Sequence, residues 1–231
     1  MPRARTANHD PRQTAATQDG SGCLSLYSLP LFAILLIACL LTALAFNMPV
    51  QTSAMSAAPI NSPAASNGIS PIFTREVQHW ADDIARWANA SSLDPNLVAV
   101  VMQIESCGDP RARSSAGAMG LFQVMPFHFQ SGENPYDPNT NALRGLNYLS
   151  RSLETSRGSV RLALAGYNGG IGVIARGEWT WSAQTLRYVY YGAPIYEDAR
   201  SGVTFSPKLD EWYRKYGAGL CRQAGRRLGI E

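Results

Sequence analysis

The chain has 231 residues and a formal net charge of +3, and charged side chains make up only 16% of it. So small a positive balance fits a mild attraction to anionic polymers and does not call for nucleic acid. No basic stripe, zinc finger or RNA-binding aromatic motif is present, which sets nucleic-acid binding aside as a function class.

Residues 1–28 are polar and irregular and carry Arg3, Arg5 and Arg12. Residues 29–46 are almost wholly apolar. As a helix this run would reach about 27 Å, just enough for a bilayer core. The arginines precede it, so the positive-inside rule leaves the N-terminus in the cytoplasm and everything after Phe46 outside. Ala43-Leu44-Ala45 offers a signal-peptidase site. Leu36-Ile37-Ala38-Cys39 resembles a lipoprotein box that would acylate Cys39. An uncleaved signal anchor is favoured, because the run is long for a signal-peptide core. All three fates export the rest of the chain. Residues 47–70 are rich in Ala, Ser, Pro and Asn and read as a flexible tether.

Residues 71–231 read as one domain with a helical pattern throughout. Thr74 can cap a helix carrying Val77, Trp80, Ile84 and Trp87 on one face. Asp94-Pro95 is a cap followed by proline at the first helical position. The run from Leu97 to Ile104 that follows is apolar nearly all round, the mark of a buried helix. Leucines at 143, 146, 149 and 153 give a helix over 139–153. Ser159 can cap another that ends at Gly169-Gly170, and Ser206-Pro207 opens a last one with Leu209, Trp212 and Tyr213. No period-two strand longer than a few residues stands out, so the fold class is all-α.

Cys107 and Cys221 are the two cysteines of this domain, with Cys23 and Cys39 in the leader. No Cys-x-x-Cys pair occurs, and His9, His79 and His128 are too scattered for a metal site. An exported domain meets an oxidising compartment, where cysteines tend to pair. Cys107 and Cys221 are therefore expected to form a disulfide. Two buried free thiols are the alternative.

Glu105 ends the most apolar helix. A negative charge is unfavourable there, because the helix dipole is negative at that end. A carboxylate backed by apolar residues should have a raised pKa, which suits a general acid. Taken alone, an ordinary helix-terminal carboxylate reads equally well. Downstream, Gly117 to Pro126 (GAMGLFQVMP) places glycines where backbone can approach a ligand closely. Gln123 stands among apolar neighbours there, apt for hydrogen-bonding a sugar. Gly166-Tyr167-Asn168-Gly169-Gly170 then ends a helix with aromatic and amide groups at a glycine-rich turn.

Glu105-Ser106, Gly117 to Pro126, Tyr167-Asn168-Gly169-Gly170 and Tyr188-Val189, in this order, resemble the soluble lytic transglycosylase family, relatives of goose-type lysozyme. The resemblance implies a lysozyme-like helical fold. It implies that Glu105 is first the acid and then the base, with Tyr167 beside it. It implies that Ser114, Gln123, Met125, Asn168 and Tyr188 line a glycan groove. One departure stands out: family members commonly have Glu-Thr where this chain has Gln184-Thr185. The implied reaction cleaves the β-1,4 bond between N-acetylmuramic acid and N-acetylglucosamine in peptidoglycan and forms 1,6-anhydromuramic acid. It needs no metal and no cofactor. The expected partners are peptidoglycan strands and, through residues 29–46, the membrane; the chain is expected to be monomeric. Two rivals stay open. A muramidase on the same fold would use Asp109 or another carboxylate, such as Glu133, Asp137 or Glu178, to direct water. A non-catalytic wall-binding module would need no acid.

Overall fold

The computed structural model of the protein describes residues 68–230. The apolar run 29–46, its arginine-bearing flank and most of the tether lie outside the described residues. Among the described residues no helix is long and apolar enough to cross a membrane. Packing begins slightly before Pro71: Ile69 and Ser70 are buried, and the Ser70 amide donates to Asn96 Oδ1 at 2.7 Å.

Eight α-helices order the described residues: α1 (Arg75–Gln78), α2 (Ala81–Ala90), α3 (Pro95–Glu105), α4 (Pro138–Thr155), α5 (Val160–Gly169), α6 (Ala183–Arg200), α7 (Pro207–Trp212) and α8 (Ala218–Leu228). No strand occurs among them, only isolated bridges from Met119 to Arg113 and Val124. The domain is all-α.

Helix α3 is the centre of the core. The Asp94 carboxylate accepts from the Asn96 amide at 2.8 Å and Pro95 fills the first position, so both start signals act. Leu97 through Met102 are all fully or almost fully buried. No face is left for water, so the helix is surrounded: α1, α2 and α6 pack on it. Helix α6 also packs on α5, which in turn lies against α4. The Tyr196 hydroxyl reaches from α6 to Asp94 Oδ2 at 3.0 Å and ties α6 to the start of α3.

The continuous helix expected after Thr74 is broken at His79 and Trp80, between α1 and α2. Thr74 stands at the N-cap, but its hydroxyl makes no cap bond and donates instead to the buried Gln103 Oε1 at 3.2 Å. The buried face survives the break, because Val77, Trp80, Ile84 and Trp87 all point inward. Of the repeating leucines on α4, Leu146 and Leu149 are buried while Leu143 is exposed. Ser206 caps α7 by accepting from the Leu209 amide at 3.1 Å. The chain then passes through a π turn, Tyr213–Gly217, into α8.

Cys107 and Cys221 are joined by a disulfide, their Cα atoms 5.0 Å apart. It fastens α8 to the turn that follows α3. The bridge closes a separation of 114 residues, for which the unfolded chain loses much closure entropy. The double variant Cys107→Ser/Cys221→Ser should lose about 2–4 kcal/mol in urea denaturation. An unchanged midpoint would show that the bridge carries no stability.

Candidate active site

Glu105 is the last residue of α3, and the chain turns sharply after it: Cys107 has φ +51° and Gly108 has φ +83°. Ser106 locks that turn. Its buried hydroxyl donates to the Leu121 carbonyl at 2.6 Å and accepts from the Gly108 amide at 3.1 Å. One serine thus holds the end of α3 against the loop that carries residues 117–126.

Asn141 on α4 fixes the same loop from the other side. Its side-chain amide donates to the Met119 and Pro135 carbonyls at 2.8 and 2.9 Å, and its Oδ1 accepts from the Phe122 amide at 2.8 Å. A Cβ at Gly120, which has φ +75°, would collide with this side chain. A Cβ at Gly145 would collide with Phe122 and crowd the Tyr167 hydroxyl. Both glycines exist because loop and α4 touch with nothing between them.

The result is a groove with two lobes. The wider one, about 370 Å³, is lined by Glu105, Ser114, Gln123, Met125, Tyr167 and Asn168, together with Phe127, His128, Tyr148 and Gln184. The narrower one, about 200 Å³, is lined by Glu105, Asn168 and Gln184 again, with Arg187, Tyr188, Tyr191 and Tyr216. Glu105, Asn168 and Gln184 therefore stand where the lobes meet. Six of the residues singled out in the sequence share the wider lobe with one another, and Tyr188 lies in the narrower one.

The Glu105 carboxyl is half-buried at this junction, and withdrawal from water pushes its pKa from 4.5 up to about 8. Tyr188 restrains the rise. Its hydroxyl is buried beside Glu105 but completes no hydrogen bond of normal geometry. Such loose contacts are common in unliganded sites and tighten around substrate. Burial also raises the Tyr167 hydroxyl well above its ordinary range, and the Glu105 charge adds to the effect. Both tyrosines are neutral donors near neutral pH.

Hydrogen bonds decide which atoms remain for a ligand. Tyr167 Oη donates to the Phe122 carbonyl at 2.7 Å, so its proton is committed to the loop. Gln123, held at φ +46°, donates its amide nitrogen to the Ala112 and Gly120 carbonyls at 3.2 and 3.0 Å. Its carbonyl oxygen is left to accept. Ser114 Oγ accepts from the Ala118 amide at 3.0 Å and keeps its own proton to donate. Asn168 Oδ1 accepts from the buried Thr185 hydroxyl at 3.1 Å, which leaves its amide nitrogen free. The groove thus offers a mixed set of donors and one acceptor beside a protonated acid.

None of the other carboxylates considered as a partner for Glu105 lines either lobe. Asp109 is fully buried, accepts from Gln223 Nε2 at 2.7 Å and pairs with Arg227 at 3.4 Å. Its task is to hold α8, so it is not a group that could direct water. Arg144 grips Glu133 and Arg161 grips Glu178, and each arginine keeps its partner's pKa below the usual range. Asp137 caps α4 through Thr140, whose bonds lower its pKa in the same way.

Sequence reasoning missed an aromatic wall on the wider lobe. Phe127, His128, Tyr148 and Tyr167 follow one another with ring centroids 4.5, 4.8 and 5.8 Å apart. Phe127 is 75% exposed, a large apolar ring with nothing of its own to cover it. The signal available was its place directly after Met125-Pro126. As for metal ligands, one group of His, Cys, Asp and Glu comes together among the described residues, Glu76 with Cys107 and Cys221. Both sulfurs are spent in the disulfide.

Residues 82–185 match the transglycosylase SLT domain. The match includes Glu105 and Asn168 and stops just short of Arg187 and Tyr188. A transglycosylase of Enterobacteria phage PRD1 is 40% identical over 111 residues, covering 47% of this chain and 40% of the phage protein. Membrane-bound lytic murein transglycosylase E of Buchnera aphidicola subsp. Acyrthosiphon pisum (strain APS) is 32% identical over 87 residues, covering 32% of this chain and 39% of that one. The chain thus spans about two fifths of the length of the curated relatives it matches. Among solved structures, an inactive mutant of the lytic transglycosylase Slt from Pseudomonas aeruginosa aligns at 21% identity and a TM-score of 0.38, over 64% of this chain and 24% of that one.

The raised pKa has a consequence for stability. The folded domain holds the Glu105 proton more tightly than the unfolded chain does. The stability this contributes is full below about pH 4.5 and is lost as pH rises through about 8. Glu105→Gln should therefore melt above the wild type, with a gap wider near pH 9 than near pH 5. A gap independent of pH would contradict the assignment of a buried, protonated acid.

Proposed function

We propose that the chain is a peptidoglycan lytic transglycosylase that cleaves the β-1,4 bond between N-acetylmuramic acid and N-acetylglucosamine. One observation carries this reading: Glu105 is the sole carboxylate among the residues lining the groove, and it is held protonated near neutral pH. A two-carboxylate hydrolase needs a second carboxyl within several ångströms of the first. The carboxylates considered for that part are engaged elsewhere. A single acid suffices only where the substrate supplies the second group.

Glu105 donates its proton to the glycosidic oxygen as the C1–O bond breaks. The N-acetyl carbonyl of the muramoyl sugar supports the electron-poor C1. The Glu105 carboxylate then removes the proton of the C6 hydroxyl, and O6 bonds to C1 to close the 1,6-anhydro ring. The proton count returns to its start and water is not consumed. Tyr188 would hydrogen-bond the carboxylate once it forms. Tyr167 acts as a positioning residue through the Phe122 carbonyl, and Ser114, Gln123, Met125 and Asn168 hold the glycan. A groove kept for binding alone would gain nothing from an acid driven up to about pKa 8.

The domain works outside the cytoplasmic membrane, anchored through residues 29–46, with residues 1–28 inside and 47–70 as a tether. The apolar run and its arginines support this, as does a disulfide, which persists in oxidising compartments. The Buchnera relative is itself described as membrane-bound.

Digestion of purified sacculi in ¹⁸O-labelled water tests the reaction. Mass spectrometry should find unlabelled 1,6-anhydromuramic ends, and Glu105→Gln should release them about a hundred- to ten-thousand-fold more slowly. Labelled reducing ends would establish hydrolysis instead.

A further inference from the structure

The narrower lobe contains a cation that the reaction does not use. Arg187 lies on α6, one residue before Tyr188, and lines the same lobe as Glu105. Its guanidinium sits 5.1 Å from the ring centroid of Tyr216. Such a cation–π contact orients the planar fork without occupying its hydrogen-bond donors. Among the described residues it pairs with no carboxylate and makes no side-chain hydrogen bond, whereas its basic neighbours do: Arg161 is held by Glu178 and Lys215 by Glu211 at 2.9 Å.

Arg187 also lines a second hollow of about 540 Å³, so it stands where the narrower lobe opens outward. The charged side chains lining that hollow are Arg161, Arg187, Lys215 and Glu211; Glu178 offsets Arg161 and Glu211 offsets Lys215, which leaves the Arg187 charge uncompensated. In the lobe itself Arg187 faces Glu105 alone, and Glu105 is neutral at physiological pH because burial raises its pKa. The path leading away from the acid therefore has a positive potential with an oriented, unpaired donor fork at its neck.

A glycan strand of alternating amino sugars is itself uncharged. The anionic part of peptidoglycan is the substituent on the muramoyl sugar: the carboxylates of the stem peptide or, where the peptide has been removed, the freed lactyl carboxylate. We propose that Arg187 is a specificity-determining residue that binds a carboxylate of this substituent as it leaves the narrower lobe. The inference rests on the transglycosylase reading and adds to it a preference for strands that bear their peptides. Arg187 recognises the carboxylate through a charge-assisted, two-pronged pair, for which the guanidinium fork is suited.

The test compares the full chain with Arg187→Ala and Arg187→Glu on three substrates. The first is intact glycan strands carrying peptide stems. The second is the same strands with stem carboxylates converted to amides by carbodiimide and ammonia. The third is strands stripped of peptide by an amidase, which leaves the lactyl carboxylate. Each protein is its own control, since the readout is the ratio of its kcat/KM values on two substrates. The wild type should favour intact over amidated strands by about fivefold, as suits a partly exposed charge-assisted pair. The ratio should fall to about one in Arg187→Ala and below one in Arg187→Glu. If the wild type also favours stripped over amidated strands, Arg187 accepts the freed lactyl carboxylate as well as a stem carboxylate; if not, it accepts the stem carboxylate alone. Equal wild-type ratios in the two variants would overturn the inference and leave the transglycosylase reading intact. Release of no anhydromuramic product from any strand by the wild type would overturn both.

Discussion

Helix α3 has no solvent face. Every side chain from Leu97 to Gln103 is buried, so the helix can end only where the surrounding helices leave an opening, and Glu105 is the side chain that meets it. The carboxyl arrives at the groove with apolar packing behind it, and among the described residues no ion pair compensates its charge. Burial then favours the protonated form. The packing that stabilises the core and the chemistry available at the site thus have one cause. An acid placed midway along an exposed helix face would be ionised and of no use as a proton donor.

A buried acid is useful only if the groove is held open beside it. The turn after Glu105 is pinned by Ser106 to the Leu121 carbonyl and by the disulfide to α8. Asn141 ties the far side of the loop to α4, and Tyr167 ties Phe122 to α5. These bonds consume one half of several polar side chains and leave the other half facing the groove. Gln123 spends its nitrogen and keeps its oxygen, while Asn168 spends its oxygen and keeps its nitrogen. Each side chain is oriented by the bond it makes to the protein, so little ordering remains to be done when a ligand binds.

The sequence made α3 legible, because Asp94-Pro95 and an unbroken apolar run leave few alternatives. It also marked Glu105, Ser114, Gln123, Met125, Tyr167 and Asn168, which share one groove. Helix α6 had no comparable signal. Tyr188, Tyr191, Ile195 and Tyr196 are buried while Leu186 and Tyr190 are exposed, and Pro194 lies inside the helix, so no single apolar stripe emerges. The aromatic wall was hidden for a related reason: Phe127 and Tyr148 lie far apart in the chain and meet only through His128. Asp109 misled in the opposite sense. A carboxylate four residues from the acid looks available in one dimension, yet it is turned away into a fully buried bond with α8.

The account depends above all on Glu105 carrying its proton at neutral pH without a companion carboxylate. Carbon-13 NMR of the side-chain carboxyls in glutamate-labelled protein measures this directly, with the Glu105 resonance assigned by its loss in Glu105→Gln. The account predicts that this resonance titrates with a midpoint of about 8; a midpoint near the ordinary 4.5 would contradict it.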